Sequence, residues 1–246
     1  MGFATIIFAL LFYAATAVLV VGLAKKIHQY ATTPAPLKIP TMPAPMTRSG
    51  VAWRMGRELF FFHSLFRANK WTWLFGFAFH AALVLVLLRH MRYFTEPVWA
   101  PIVAVQPWGI YAAAVMVIGL AGLWARRLLV ERVRYITGPS DHLMLLLLVG
   151  IALTGLGTKF LLRTDIIAVK AFFLGLIRFD WQPLPSDPLL LLHLALVIAL
   201  MIVFPFSKLL HAPGVFFSPT RNQADDSRTR RHLVHWAAVL QGERED

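Results

Sequence analysis

Five apolar stretches, residues 3–24, 71–89, 108–125, 142–162 and 189–210, set the terms on which this chain can fold. Each is close to the ~20 residues that a helix needs to cross the hydrocarbon core of a bilayer. Within lipid no water is present to take up backbone N–H and C=O groups, so each segment must close its own hydrogen bonds as a helix. The chain has 246 residues, 58% of them apolar, and what remains between the stretches is too short to bury a separate soluble core. The reading is an all-α membrane protein of a single domain, 1–246, built as a bundle of five transmembrane helices. The first stretch lacks a basic leader and is followed by Lys25 and Lys26, the reverse of a cleavable signal peptide, so it is read as a retained span.

Basic residues give the expected orientation. Of 24 Lys and Arg, eight fall in 25–70, four in 126–141 and six from 208 onward, whereas Arg89, Arg92, Lys159, Arg163, Lys170 and Arg178 lie on the other side. The positive-inside rule then puts the amino terminus in the periplasm and the carboxyl terminus in the cytoplasm, as in a multi-pass protein of the inner (cytoplasmic) membrane of a bacterium or archaeon. The net charge of +12 is mostly a topology signal, because the basic residues flank spans and form no nucleic-acid-binding motif. Cysteine is absent, which excludes disulfides, thiolate-bound zinc, Cys-ligated iron–sulfur clusters and thioether-attached haem from this chain.

The connecting segments are read from their chemistry. Within the cytoplasmic segment 25–70, "TTPAPLKIPTMPAPM" is too rich in proline for a helix and predicts an extended strap. "FFFHSLFRANKWTW" mixes aromatics with Arg67 and Lys70 as an interfacial segment does. In "TGPSDHLMLLLL", Ser140 or Asp141 can cap the fourth span. "IIAVKAFFLGLI", 166–177, is too short to cross and predicts a surface or re-entrant helix. The cytoplasmic tail, 211–246, includes "SPTRNQADDSRTRRHLVHW", a mixed-charge run that either docks a cytoplasmic partner or is simply solvated.

Ionisable side chains inside spans are costly and point to function. Four of the nine histidines stand there: His80 and His90 on the second span, His193 and His211 on the fifth. On an ideal helix His193 and His211 are about 27 Å and about five whole turns apart, on one face, while His80 and His90 are about 15 Å apart and roughly 80° out of phase. The two spans run in opposite directions, so His80 can face His211 on the inner side and His90 can face His193 on the outer side. The unequal rises require a tilt or a bend, and Pro205, without an N–H, is the place for one. Any one of these histidines alone reads as an interhelical hydrogen-bonding group. The crossed set reads as two pairs of axial ligands, because neutral imidazole suits iron and a bundle interior can enclose a flat macrocycle between two ring nitrogens. Two haems of the b type, stacked across the bilayer, follow.

At this point the chain resembles a known family. The ten-residue and eighteen-residue histidine spacings, the latter around "FPFSKLLH", match the haem-ligand pattern of the gamma subunit of respiratory nitrate reductase, a five-helix di-haem cytochrome b that exchanges electrons with membrane quinone. "FHSLFRANKWTWLFG", "RVRYITGPSDHLMLLLL" and "FPFSKLLHAPGVFFSPTRNQ" resemble more narrowly the branch found in the membrane complex associated with dissimilatory sulfite reductase, often called DsrM. That resemblance implies a role in dissimilatory sulfur metabolism. The implied partners are a cytoplasmic iron–sulfur subunit similar to heterodisulfide reductase and further membrane and periplasmic subunits, including a multi-haem cytochrome c.

Secondary candidates follow from position. Arg89 and Arg92 beside an outer ligand, and Lys208 on the inner side, are suited either to haem propionates or to lipid headgroups. Lys159 and Arg163 mark a possible quinone site, and Gly150, Gly155 and Gly157 allow close approach of a helix or cofactor. His142 is assigned no haem. The chain carries no evident nucleophile, so it is read as the electron-transfer, quinone-interacting subunit of an oxidoreductase complex, with no catalytic residue of its own. The competing readings are the cytochrome b subunit of another quinone-linked reductase, such as nitrate reductase, and a haem-free transporter or anchor. The transporter is opposed by the lack of an internal repeat and of Asp or Glu within the spans.

Overall fold

The computed structural model describes residues 2–226, and among these all regular structure is helical. Its α-helices are α1 (Phe3–Thr32), α2 (Arg48–Phe61), α3 (His63–Ala68), α4 (Lys70–His90), α5 (Ala100–Val105), α6 (Trp108–Leu129), α7 (Glu131–Tyr135), α8 (Pro139–Phe160), α9 (Ile166–Arg178), α10 (Pro188–Val203), α11 (His211–Gly214) and α12 (Pro219–Asn222). Five helical segments are long and apolar enough to cross a membrane: α1, α4 with the turn that follows it (Lys70–Tyr93), α6, α8, and α10 with the turn that follows it (Pro188–Phe206). The described residues form two compact units, one of residues 2–24 and 62–209, the other of residues 25–61 and 210–226.

The first unit has two apolar clusters. Ala9, Phe12 and Ala15 of α1 pack with Phe172, Phe173 and Leu176 of α9 and with Leu190, Leu194 and Ile198 of α10. The second joins Phe79 and Ala82 of α4 to Met116 and Leu120 of α6 and to Leu145 and Ala152 of α8. Glycine makes the second possible: a Cβ on Gly119 would stand 3.0 Å from the Phe75 carbonyl oxygen and the Phe79 nitrogen, so α6 lies directly on the α4 backbone. The short helix α9 starts at Asp165, whose carboxylate accepts from the N–H groups of Ile167 and Ala168. One face of it is buried on α1 and α10, with Phe172 fully enclosed.

Two boundaries differ from the sequence reading. The fourth span starts at Pro139, with Gly138 as its N-cap and Asp141 reaching back at 3.1 Å to the Gly138 N–H. Proline is admitted there because the first helical N–H has no partner in any case. The fifth span does not run unbroken to residue 210. Regular helix ends at Val203, a 3-10 turn covers Phe204–Phe206, and Ser207 is extended at φ −111° and ψ 173°. Pro205 removes the N–H that would continue the ladder, and it is buried against α1, where a Cβ on Gly22 would meet its ring at 2.6 Å. The assumption of about five regular turns between His193 and His211 therefore does not hold, and helical phase alone does not align the two.

In the second unit the proline-rich strap is non-helical and pinned along its length. Thr41 N–H donates to the Thr220 carbonyl at 2.9 Å, Ile39 N–H to Gln223 Oε1 at 2.9 Å, and Gln223 Nε2 returns to the Leu37 carbonyl at 3.1 Å. Ion pairs Lys38–Asp226 at 2.7 Å and Arg221–Glu58 at 3.3 Å add to the seam. A polyproline-like chain cannot bond to itself, so its backbone groups need partners of this kind. Most of the tail assigned to a cytoplasmic partner lies outside the described residues.

Candidate functional site

Helix α4 is launched by Asn69, whose side chain accepts from the Thr72 N–H at 2.8 Å, and it carries two histidines of identical local construction. His80 Nδ1 lies 2.7 Å from the Gly76 carbonyl, and His90 Nδ1 lies 2.7 Å from the Val86 carbonyl. A carbonyl only accepts, so in each neutral ring the proton sits on Nδ1 and the lone pair on Nε2. That is the state in which imidazole binds a metal through Nε2, with the other nitrogen oriented by a backbone acceptor. Phe62 and Phe79 stand edge-on to the His80 ring, at centroid distances of 5.0 and 4.8 Å.

His193 comes from α10, six residues into a helix capped by Asp187. Its Nδ1 is 3.0 Å from the Thr154 hydroxyl of α8, and a Cβ on Gly155 would come within 3.1 Å of its Cε1. The ring therefore lies flush on α8 and reaches the end of α4. There it meets His90, with centroids 6.4 Å apart and ring planes 23° from parallel. Both histidines are half-buried.

The arrangement is suited to a metal held by two ring nitrogens. Two metal–imidazole bonds of about 2 Å each, with a ring radius on either side, span about 6 Å between centroids, close to the observed separation. Among the described residues no group of three or more His, Asp or Glu gathers as a metal cage. A two-imidazole set matches a metal whose other ligands are supplied by a macrocycle, which is how bis-histidine haem is held. The residues present fit haem at this pair. His80 is prepared in the same way, while His211 opens α11 in the second unit.

The family model described as the nitrate reductase gamma subunit matches residues 48–225, and all four histidines fall within the match. The chain belongs to the nitrate reductase gamma subunit family. It is also 35% identical to the Hdr-like menaquinol oxidoreductase cytochrome b-like subunit of Archaeoglobus fulgidus, over 91% of this chain and 81% of that protein. A protein of the same description from Archaeoglobus profundus is 33% identical, over 94% of this chain and 82% of its own length. With five apolar helices and a membrane cytochrome family, the chain is a multi-pass membrane protein.

The remaining candidates in this gamma-family chain fall into different settings. Arg89 donates to the Gln106 carbonyl and Arg92 donates to Gln106 Oε1 at 3.1 Å, while Gln106 Nε2 returns to the Ile102 carbonyl at 3.1 Å. Both arginines thus anchor the connection into α6. Lys208 reaches both oxygens of Asp141 at 2.7 and 2.8 Å. Lys159 and Arg163 are exposed, and neither has a described contact with His90 or His193. His142 accepts from Trp124 Nε1–H at 3.1 Å through Nδ1, so its lone pair is already used.

Three functional features were not seen in the sequence. Thr154 gave no signal, because one hydroxyl in a leucine-rich helix is ordinary. Gln106 was one polar residue in a connection. Asp141, read only as a cap, is a buried carboxylate in the first turn of a span, 6% exposed. The expectation of no carboxylate within the spans is corrected to this extent, since its charge is offset by Lys208 and, at 3.8 Å, by Arg127.

Proposed function

We propose that this chain is the membrane cytochrome b subunit of a menaquinol-oxidising complex, carrying two haems b and delivering electrons to a cytoplasmic iron–sulfur subunit similar to heterodisulfide reductase. The observation that carries the reading is the facing of His90 and His193 at 6.4 Å, with Val86 holding the Nδ1 proton of His90. His90 and His193 hold one iron near the periplasmic face; for the second haem, toward the cytoplasmic face, the spacing of the sequence alone assigns His80 and His211 as ligands. Haem held in this way supplies one-electron exchange between a two-electron quinol and a one-electron acceptor chain. Arg89 and Arg92 at the His90 end, and Lys208 at the opposite end, supply positive charge that offsets haem propionates. Lys159 and Arg163, at the His90 end of the fourth span, border the quinone site.

The similarity to Hdr-like menaquinol oxidoreductase cytochrome b-like subunits of Archaeoglobus supports quinol as the electron source and a partner similar to heterodisulfide reductase. The amino terminus is periplasmic, so inward electron flow from quinol oxidised at the outer face moves charge against the membrane potential, worth about 2.3 kcal/mol per charge at 100 mV. Sequence motifs on the second, fourth and fifth spans favour the complex associated with dissimilatory sulfite reductase, with a periplasmic multi-haem cytochrome c among its subunits. The test is the reduced-minus-oxidised spectrum with pyridine haemochrome quantitation on the wild type and on His80, His90, His193 and His211 each changed to Ala. Two haems b per chain are expected, with His90 and His193 variants losing the same one. A colourless wild-type protein ends the reading.

A further inference from the structure

Thr154 is buried, 8% exposed, four residues after Gly150 and one before Gly155 on α8. A hydroxyl has one proton and two lone pairs. Around this one stand the Gly150 carbonyl at 2.7 Å, the Ile151 carbonyl at 3.1 Å and His193 Nδ1 at 3.0 Å. Carbonyls cannot donate, so the hydroxyl proton goes to them, chiefly to the nearer Gly150, and the oxygen meets His193 as an acceptor. Nδ1 of His193 must then carry the ring proton, and the lone pair lies on Nε2. The reverse assignment would leave both carbonyls facing an oxygen without a proton and would protonate Nε2, the nitrogen needed for a metal.

We propose that Thr154 is a positioning residue that fixes His193 in the tautomer able to bind iron through Nε2 and sets how strongly that ring donates electrons. The inference rests on the haem reading above. His80 and His90 obtain the same tautomer from carbonyls of their own helix, which no substitution at those carbonyl positions removes. His193 obtains it from another helix, where the Thr154 hydroxyl at 3.0 Å is the side-chain acceptor and the Ile151 carbonyl also faces the ring. Gly155 lets the ring reach Thr154, because a methyl group there would press on Cε1 at 3.1 Å. An N–H acceptor raises the basicity of a ligating imidazole and so favours ferric over ferrous iron. Removing it should move the potential of that haem upward and leave the other haem alone.

The experiment is an optical redox titration of the purified haem-loaded chain, comparing wild type with Thr154→Val, Thr154→Ala, Thr154→Ser, His193→Ala and the Thr154→Val/His193→Ala double variant. Valine keeps the branched shape, alanine serves if valine fails to fold, and serine keeps the hydroxyl. Outer-shell partners of metal ligands typically change affinity 10–100-fold. The transition that disappears in His193→Ala should therefore shift upward in Thr154→Val by about tenfold in ferric-to-ferrous preference, ~59 mV for one electron. Thr154→Ser should stay at the wild-type value, and the double variant should show no effect beyond His193→Ala. Unchanged potentials in both hydroxyl-free variants, equal shifts of both haems, or a Thr154→Ser variant that behaves like valine would overturn the assignment. A wild type without haem instead removes the haem reading itself.

Discussion

Lys208 holds both carboxylate oxygens of Asp141, at 2.7 and 2.8 Å, although 67 residues separate the two in sequence. The pair ties the break after the fifth span to the first turn of the fourth. Its partners are not equivalent: the Asp141 side chain is 5% exposed and that of Lys208 is 74% exposed.

That asymmetry orders two substitutions. Lys208 is well hydrated, so its attraction is screened, and Lys208→Ala should cost less than about 1 kcal/mol. Asp141→Ala also removes the bond to the Gly138 N–H at the helix start, and should cost about 1–3 kcal/mol. Thermal unfolding in detergent, followed by helical circular dichroism, gives the ranking. In both variants amide exchange at 207–211 should quicken. Equal losses from the two variants would mean that the ion pair, rather than the cap, dominates.

A second prediction separates ligating from structural histidines. His142 uses its Nδ1 lone pair on Trp124, whereas His90 and His193 face one another. His142→Ala should keep the full haem content and lose about 1 kcal/mol of stability, the net worth of a typical hydrogen bond. Haemochrome quantitation beside a thermal melt reads both. Loss of a haem in His142→Ala would move the ligand assignment.

The contrast between these histidines also shows what was legible beforehand. The five spans were readable because apolar length is dictated by the bilayer, and the ends of α4 and α6 fell within a few residues of the expected positions. Spacing brought out His90 and His193 because each sits on regular helix, where phase can be computed. The same arithmetic did not carry past Pro205, since it assumed a regular helix and the ladder stops at Val203. Thr154 and Gln106 were invisible for another reason. Their roles depend on what a different helix or loop presents to them, which local pattern does not encode. The strap illustrates the same limit: its lack of helix was evident from proline, but its pinning by Thr220 and Gln223 is a long-range match.

Close packing of α6 on α4 gives a third prediction. A methyl group on Gly119 would stand 3.0 Å from Phe75 and Phe79 main-chain atoms, which cannot rotate away. Gly119→Ala should destabilise the bundle by about 1–3 kcal/mol as the helices are forced apart. Gly150→Ala is the control, because its methyl group meets only the flexible end of Leu196, at 3.3 Å, and it should be nearly neutral. Comparable losses in the two variants would locate the sensitivity in glycine chemistry rather than in helix approach.

Acid sensitivity should appear at the start of the fifth span. The Thr164 hydroxyl donates to the Asp187 carboxylate and, together with the N–H groups of Leu189 at 2.9 Å and Leu190 at 3.4 Å, holds its pKa below the ordinary 3.8 despite partial desolvation. A carboxyl with a lowered folded-state pKa binds its proton more readily when unfolded. Its contribution is therefore complete above about pH 4 and declines as the pH falls toward the folded value. Asp187→Ala should cost about 1 kcal/mol at neutral pH through loss of the cap. Asp187→Asn keeps an acceptor oxygen but not the charge, so the stability gap between it and the wild type should be widest above about pH 4 and close at lower pH. Melting curves of the two proteins from neutral to acid pH measure this directly, and a gap that does not change with pH would show that the cap acts through geometry alone.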